Sequence, residues 1–102
     1  MTRRVVFSPH AQQDLSELSL WIAQESGFPS HAADFVFAIL DFCDGLADSP
    51  FLGRSRDDLR PGLRTIGFRR RVVVAFAVDA DSVQVLGVYC GGRDYERLLA
   101  PH

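Results

Sequence analysis

Apolar residues follow two different periods along the chain. Val5, Val6 and Phe7 form a short extended run that predicts a strand over residues 3–8. Ala11, Leu15, Leu18 and Ile22 then recur at steps of four, three and four, which is one face of a helix. Ser8-Pro9 marks its start, with serine at the N-cap and proline in the first turn, and Gly27 with Pro29 beyond marks its end. A second helix, capped by Ser30 and running to about Ala47, carries Ala32, Phe35, Val36, Ile39, Phe42, Cys43 and Leu46 on a broad face; Phe37 and Leu40 extend that surface sideways. The short connection makes the two helices an antiparallel hairpin. Residues 48–62, punctuated by Pro50, Gly53, Pro61 and Gly62, read as a loop. Beyond it the period falls to two. Leu63–Phe68, Arg71–Val78 and Ser82–Cys90 read as strands joined by turns at Arg69-Arg70 and Ala80-Asp81. Gly91-Gly92 ends the last of them, and Asp94 caps a short final helix with Tyr95, Leu98 and Leu99.

This order predicts an α+β two-layer sandwich within a single domain, residues 1–102: strand, helical hairpin, three-stranded antiparallel meander and short C-terminal helix, with the hairpin on one face of the sheet. Two-residue turns would place Val72, Val74, Phe76 and Val78 beneath the helices with Val83, Val85, Gly87 and Tyr89, and would set Gly87 opposite Val74. The other face would carry Arg64, Ile66, Phe68, Arg71, Val73, Ala75, Ala77, Gln84, Leu86, Val88 and Cys90, a floor for a binding surface.

Charge adds a polarity that the periodicity does not show. The eleven basic residues are all arginine. Apart from Arg3 and Arg4, the first 53 residues hold seven carboxylates and no basic group, whereas the remainder holds nine arginines against six carboxylates. A net charge of −2 therefore conceals an acidic half and a basic half, and the basic half suits an anionic partner. No apolar run is long enough to span a membrane, and Pro9 interrupts the N-terminus too early for a signal peptide, so a cytoplasmic protein with reduced cysteines is expected. Two cysteines and three scattered histidines lack zinc-site spacing, and no cofactor is expected.

Four segments, in order, carry a resemblance. Phe7-Ser8-Pro9-His10-Ala11-Gln12-Gln13-Asp14-Leu15 is a strand-to-helix transition; Ser49-Pro50-Phe51-Leu52-Gly53-Arg54 is similar to an "FPELGRP" loop; Pro61-Gly62-Leu63-Arg64 leads into the sheet; Val85-Leu86-Gly87-Val88-Tyr89-Cys90-Gly91-Gly92-Arg93-Asp94 is similar to "VLRVLHGARD". Together the chain resembles the ParE branch of the RelE/ParE toxins of bacterial toxin–antitoxin systems. The resemblance implies a RelE/ParE-like fold, neutralisation by a ParD-like antitoxin that wraps the hairpin and sheet, and inhibition of DNA gyrase without catalysis. A departure from the pattern is Cys90, which stands where many relatives have histidine and is a poorer acid or base near neutral pH.

Candidate contacts follow from these two lines together. For the antitoxin they are Leu18, Trp21, Ile22, Phe37 and Leu40 on the hairpin, with Arg54, Arg56, Arg60 and Arg71 to receive its acidic residues. For the target they are Arg64, Arg93, Tyr95 and Arg97, the last three by analogy with the C-terminal segment of ParE proteins. No catalytic residue is assigned. Two alternatives stay open: a RelE-type ribonuclease using Arg64, Arg71 and the tyrosines Tyr89 and Tyr95, and a non-toxic module that retains only the antitoxin interface.

Overall fold

The computed structural model describes residues 3–69 and 72–90. Strand β1 (Arg4–Phe7) leads into helix α1 (Pro9–Ser26) and helix α2 (Pro29–Asp44), followed by a 3-10 turn over Gly45–Ala47. Strands β2 (Arg54–Ser55), β3 (Leu63–Phe68), β4 (Val72–Val78) and β5 (Ser82–Cys90) complete the described elements. They form a five-stranded sheet in the order β1-β5-β4-β3-β2, with β1 parallel to β5 and the other pairs antiparallel. The α+β arrangement of two helices and a sheet is the one expected. Among the described residues no helix is long and apolar enough to cross a membrane.

Local chemistry explains the helix boundaries. The Ser8 hydroxyl accepts from the Ala11 N–H, and Pro9 fills the first turn, where its missing N–H costs nothing. Gly27 ends α1 in the left-handed conformation, φ +74°, which a side chain would resist. Helix α2 departs from expectation at both ends. It begins at Pro29 with Phe28 at the N-cap and no side-chain cap, so Ser30 is not the cap; Ser26 ties the link instead, its hydroxyl accepting from the Phe28 N–H and donating to the Phe28 carbonyl. It ends at Asp44, and the last turn tightens into the 3-10 geometry common at helix termini. The loop 48–62 is not wholly irregular, because Arg54 and Ser55 pair with Thr65 and Arg64 as an edge strand.

The core lies between hairpin and sheet. Ala11, Leu18, Ile39, Cys43 and Leu46 from the helical side meet Phe68, Val72, Val74, Phe76, Val83, Val85 and Val88 from the sheet. Phe35 and Phe42 approach Phe68 at ring-centroid distances of 5.9 and 5.0 Å. The Cys43 thiol is free and fully buried, and its burial, helped by Asp44, pushes its pKa up to about 12, which makes it unreactive packing.

Two register features correct the expected sheet faces. Phe68 pairs with Val72, so three residues and not two separate β3 from β4. Arg69 adopts φ +51° in that connection. This one-residue difference reverses all of β3: Ile66 and Phe68 enter the helix-side core, and Leu63 and Thr65 take the opposite face. A bulge in β5 sets Gly87 opposite Ala75 and Val85 opposite Phe76, leaving Leu86 unpaired. Val83 and Val85 therefore keep their expected side, while Val88 turns into the core and Gly87 and Tyr89 turn away from it. Tyr89 packs with Leu63 and Ala75 in a second cluster bordered by Leu59 and Leu86. Gly87 is required by that ring, since a Cβ there would come within 2.6 Å of Tyr89 Cζ.

Candidate functional site

The hairpin surface carries several of the exposed large apolar side chains. Leu20 and Trp21 project from α1 and Phe37 from α2, with Trp21 45% and Phe37 69% exposed. The amphipathic period puts them outside: Ala11 and Leu18 occupy the core stripe of α1, and Ala32, Ile39 and Cys43 that of α2. Between the helices runs a shallow groove lined by Leu15, Ser16, Ser19 and Val36, and a second depression is lined by Trp21, Ile22, Glu25 and Ser26. Exposed apolar side chains of this size make the hairpin a candidate contact surface.

The sequence-assigned contact residues divide under this geometry. Trp21 and Phe37 lie on the surface, and Ile22 and Leu40 are half-buried beside it. Leu18 is in the core and offers nothing to a partner. Arg54 and Arg60 are exposed in the basic segment that follows the hairpin. Arg56 is buried, and its guanidinium grips Asp58 bidentately: Nε donates to Oδ1 at 3.0 Å and Nη2 to Oδ2 at 2.9 Å. That bond holds the Asp58 carboxyl below its ordinary pKa and commits Arg56 to the fold. The neighbouring Asp57 accepts the Gly62 N–H at 2.8 Å and the Ser55 hydroxyl at 3.0 Å, in that order the main causes of its lowered pKa. Arg64 also serves the loop, donating from Nη2 to the Phe51 carbonyl and from Nε to the Leu52 carbonyl. Arg71, Arg93, Tyr95 and Arg97, with the helix expected from Asp94, lie outside the described residues.

A different constellation, unassigned from sequence, sits where α1 meets β5. Asp14 is buried, and its Oδ2 accepts the Val88 N–H at 3.0 Å and lies 3.4 Å from His10 Nε2. Strand β1 ends its pairing at Phe7 opposite Val85. Beyond that point helix α1 replaces the missing neighbour, with the Ser8 hydroxyl donating to the Leu86 carbonyl and Asp14 accepting from Val88. The signal was present in the sequence: Asp14 stands three residues after Ala11 and four before Leu18, a carboxylate on the apolar stripe. Tyr89 lies near His10, the ring centroids 6.4 Å apart. Tyr89 and Arg64 leave opposite faces of the sheet, so these two of the four residues of the ribonuclease alternative do not converge; Arg71 and Tyr95 lie outside the described residues. Among the described residues no three His, Cys, Asp or Glu side chains gather as metal ligands.

Comparison with known proteins places this arrangement. Residues 5–95 match the family described as ParE toxin of type II toxin-antitoxin system, parDE. A solved structure, a chromosomal ParDE TA system from P. aeruginosa, superposes with a TM-score of 0.75 at 22% sequence identity, covering 87% of this chain and 96% of that one; at that identity it establishes the fold. No curated protein matches the chain significantly by sequence.

Proposed function

The chain belongs to the ParE toxin family of type II toxin–antitoxin systems, and from that premise we propose that it inhibits DNA gyrase in the cytoplasm and is neutralised by a ParD-like antitoxin seated on the α1–α2 hairpin. The observation that carries the antitoxin seat is the exposure of the large rings Trp21 and Phe37 on the two helices of the hairpin. An amphipathic antitoxin helix would bury these rings, with Trp21 as anchor, and its acidic residues would meet Arg54 and Arg60. Leu18 and Arg56 drop out of the interface because the core and Asp58 already hold them. The gyrase reading rests on family membership, together with a basic C-terminal half suited to an anionic or acidic target. Within that half Arg93, Tyr95 and Arg97 are the proposed target contacts.

The test is an incubation of the purified chain with gyrase and supercoiled plasmid. Linear DNA that accumulates only with the chain supports a topoisomerase poison. Unchanged gyrase alongside growth arrest in cells would sink this reading and favour cleavage of messenger RNA. For the antitoxin seat, the double substitution Trp21→Ala/Phe37→Ala should abolish co-purification with the acidic product of the neighbouring reading frame while leaving the chain folded.

A further inference from the structure

Phe51 is a large exposed side chain that the hairpin surface does not account for. It stands in the segment between the 3-10 turn and β2 with 66% of its surface open, and Leu52 beside it is half exposed. Two guanidinium groups flank its ring, Arg3 and Arg64, each with Cζ 5.8 Å from the ring centroid. Residues far apart in sequence thus converge on one aromatic ring, and each is held in place. Arg64 Nη2 donates to the Phe51 carbonyl at 2.7 Å and Nε to the Leu52 carbonyl at 3.3 Å; Arg3 Nε donates to the Asp79 carbonyl at 2.8 Å. The segment itself is clamped at Gly53, whose φ of +79° and contact with the Thr65 carbonyl leave no space for a Cβ. A guanidinium has five N–H donors, so each fork retains several for a ligand. Of the nearby carboxylates, Asp79 accepts from Gln84 Nε2 at 2.8 Å, and Asp57, whose charge also attracts the Arg64 guanidinium, accepts from Gly62 and Ser55.

An open aromatic ring with two partly free guanidiniums over it suits a base together with its phosphates. The ring stacks any base, and the planar forks take phosphate oxygens bidentately. A carboxylate would satisfy the forks but make no use of the ring. We propose that Arg3, Phe51 and Arg64 form a binding site for single-stranded nucleic acid, with a base on Phe51 and backbone phosphates on the two arginines. The site includes Arg64, a target contact expected from the sequence, but does not rest on the gyrase reading.

The experiment is fluorescence anisotropy of a labelled short oligonucleotide titrated with the purified chain, as DNA and as RNA of the same sequence. Saturable binding is expected, weakening as salt rises. Phe51→Ala should weaken it about tenfold and Phe51→Trp should restore it, a rescue that a purely structural role would not produce. Arg3→Ala should reduce the slope of log affinity against log salt by about 0.7. A preference for DNA or for RNA supports the site and identifies the natural source. Absence of saturable binding, or equal affinity in Phe51→Ala, overturns it. Displacement of the oligonucleotide by polyglutamate at comparable concentration also overturns it, in favour of an acidic protein segment. Circular dichroism melting of each variant separates lost binding from lost fold.

Discussion

Two carboxylates in this molecule make nearly the same bond in opposite surroundings. Asp14 accepts the Val88 N–H at 3.0 Å inside the α1–β5 junction, and Asp57 accepts the Gly62 N–H at 2.8 Å on the surface loop. Bond length favours Asp57, yet Asp14 contributes more to the fold. At the loop, water can replace either partner. At the junction, removal of Asp14 leaves a buried N–H with nothing to bond, and the cost is the desolvation of that group. By this argument the local ties of the loop set shape, while the buried tie sets both shape and stability.

The contrast can be broken most directly at Asp14. Asp14→Ala should cost about 3 kcal/mol, lowering Tm by roughly 15 °C in a domain of this size, and Asp14→Asn, which keeps an acceptor oxygen, should cost less. A thermal melt that barely moves would show that Val88 finds another partner and that burial is not decisive. Next in size is Gly87→Ala, on the same strand. Its methyl would displace the buried Tyr89 ring at a cost of about 2 kcal/mol. The double variant Gly87→Ala/Tyr89→Ala should be more stable than the sum of the singles predicts, which denaturant unfolding can measure. Within the loop, the position most sensitive to substitution should be a backbone one. Gly53→Ala is expected to cost about 1.5 kcal/mol through its positive φ and the Thr65 carbonyl, more than removal of any exposed ion pair nearby. If Arg54→Ala proves worse, the loop depends on charge and the distinction fails.

The smallest effect is acid sensitivity of the loop. Asp57 titrates below its ordinary value chiefly because the Gly62 N–H and the Ser55 hydroxyl favour its charged form; Asp58 does so because of Arg56. A lowered folded pKa means that the unfolded chain takes up protons first. The contribution is therefore complete above the unfolded value of about 3.9 and drains away as pH falls through the lower folded value. Asp57→Ala should flatten the acid limb of Tm against pH slightly and leave neutral-pH stability almost unchanged. A large loss at neutral pH would place Asp57 in the same class as Asp14.

Legibility differed along the same division. Periodicity located both helices and three strands because burial on one face imposes a repeat that any amphipathic element must show. The Ser8 cap and the Gly27 stop were readable because each satisfies or ends the backbone within a few residues. The register was not readable from these signals. A third residue in the β3–β4 connection reversed every side chain of β3, and the bulge at Leu86 did the same to the end of β5. Arg64 therefore left the expected binding floor for the Phe51 segment, and Tyr89 left the helix side. Asp14 had a visible signal, a carboxylate on an apolar stripe, but charge counting treated it as one acidic residue among seven.

By itself the sequence determined the element types, the helical hairpin, the family resemblance in four ordered segments and the division between acidic and basic halves. These depend on neighbours in the chain, whose spacing is known in advance. Tertiary structure alone decided the parallel docking of β1 on β5, the partner of Asp14, the burial of Arg56 and the meeting of Arg3 with Arg64 around Phe51. Each joins segments whose separation in space depends on one register shift or one bulge, and a local pattern carries no record of it.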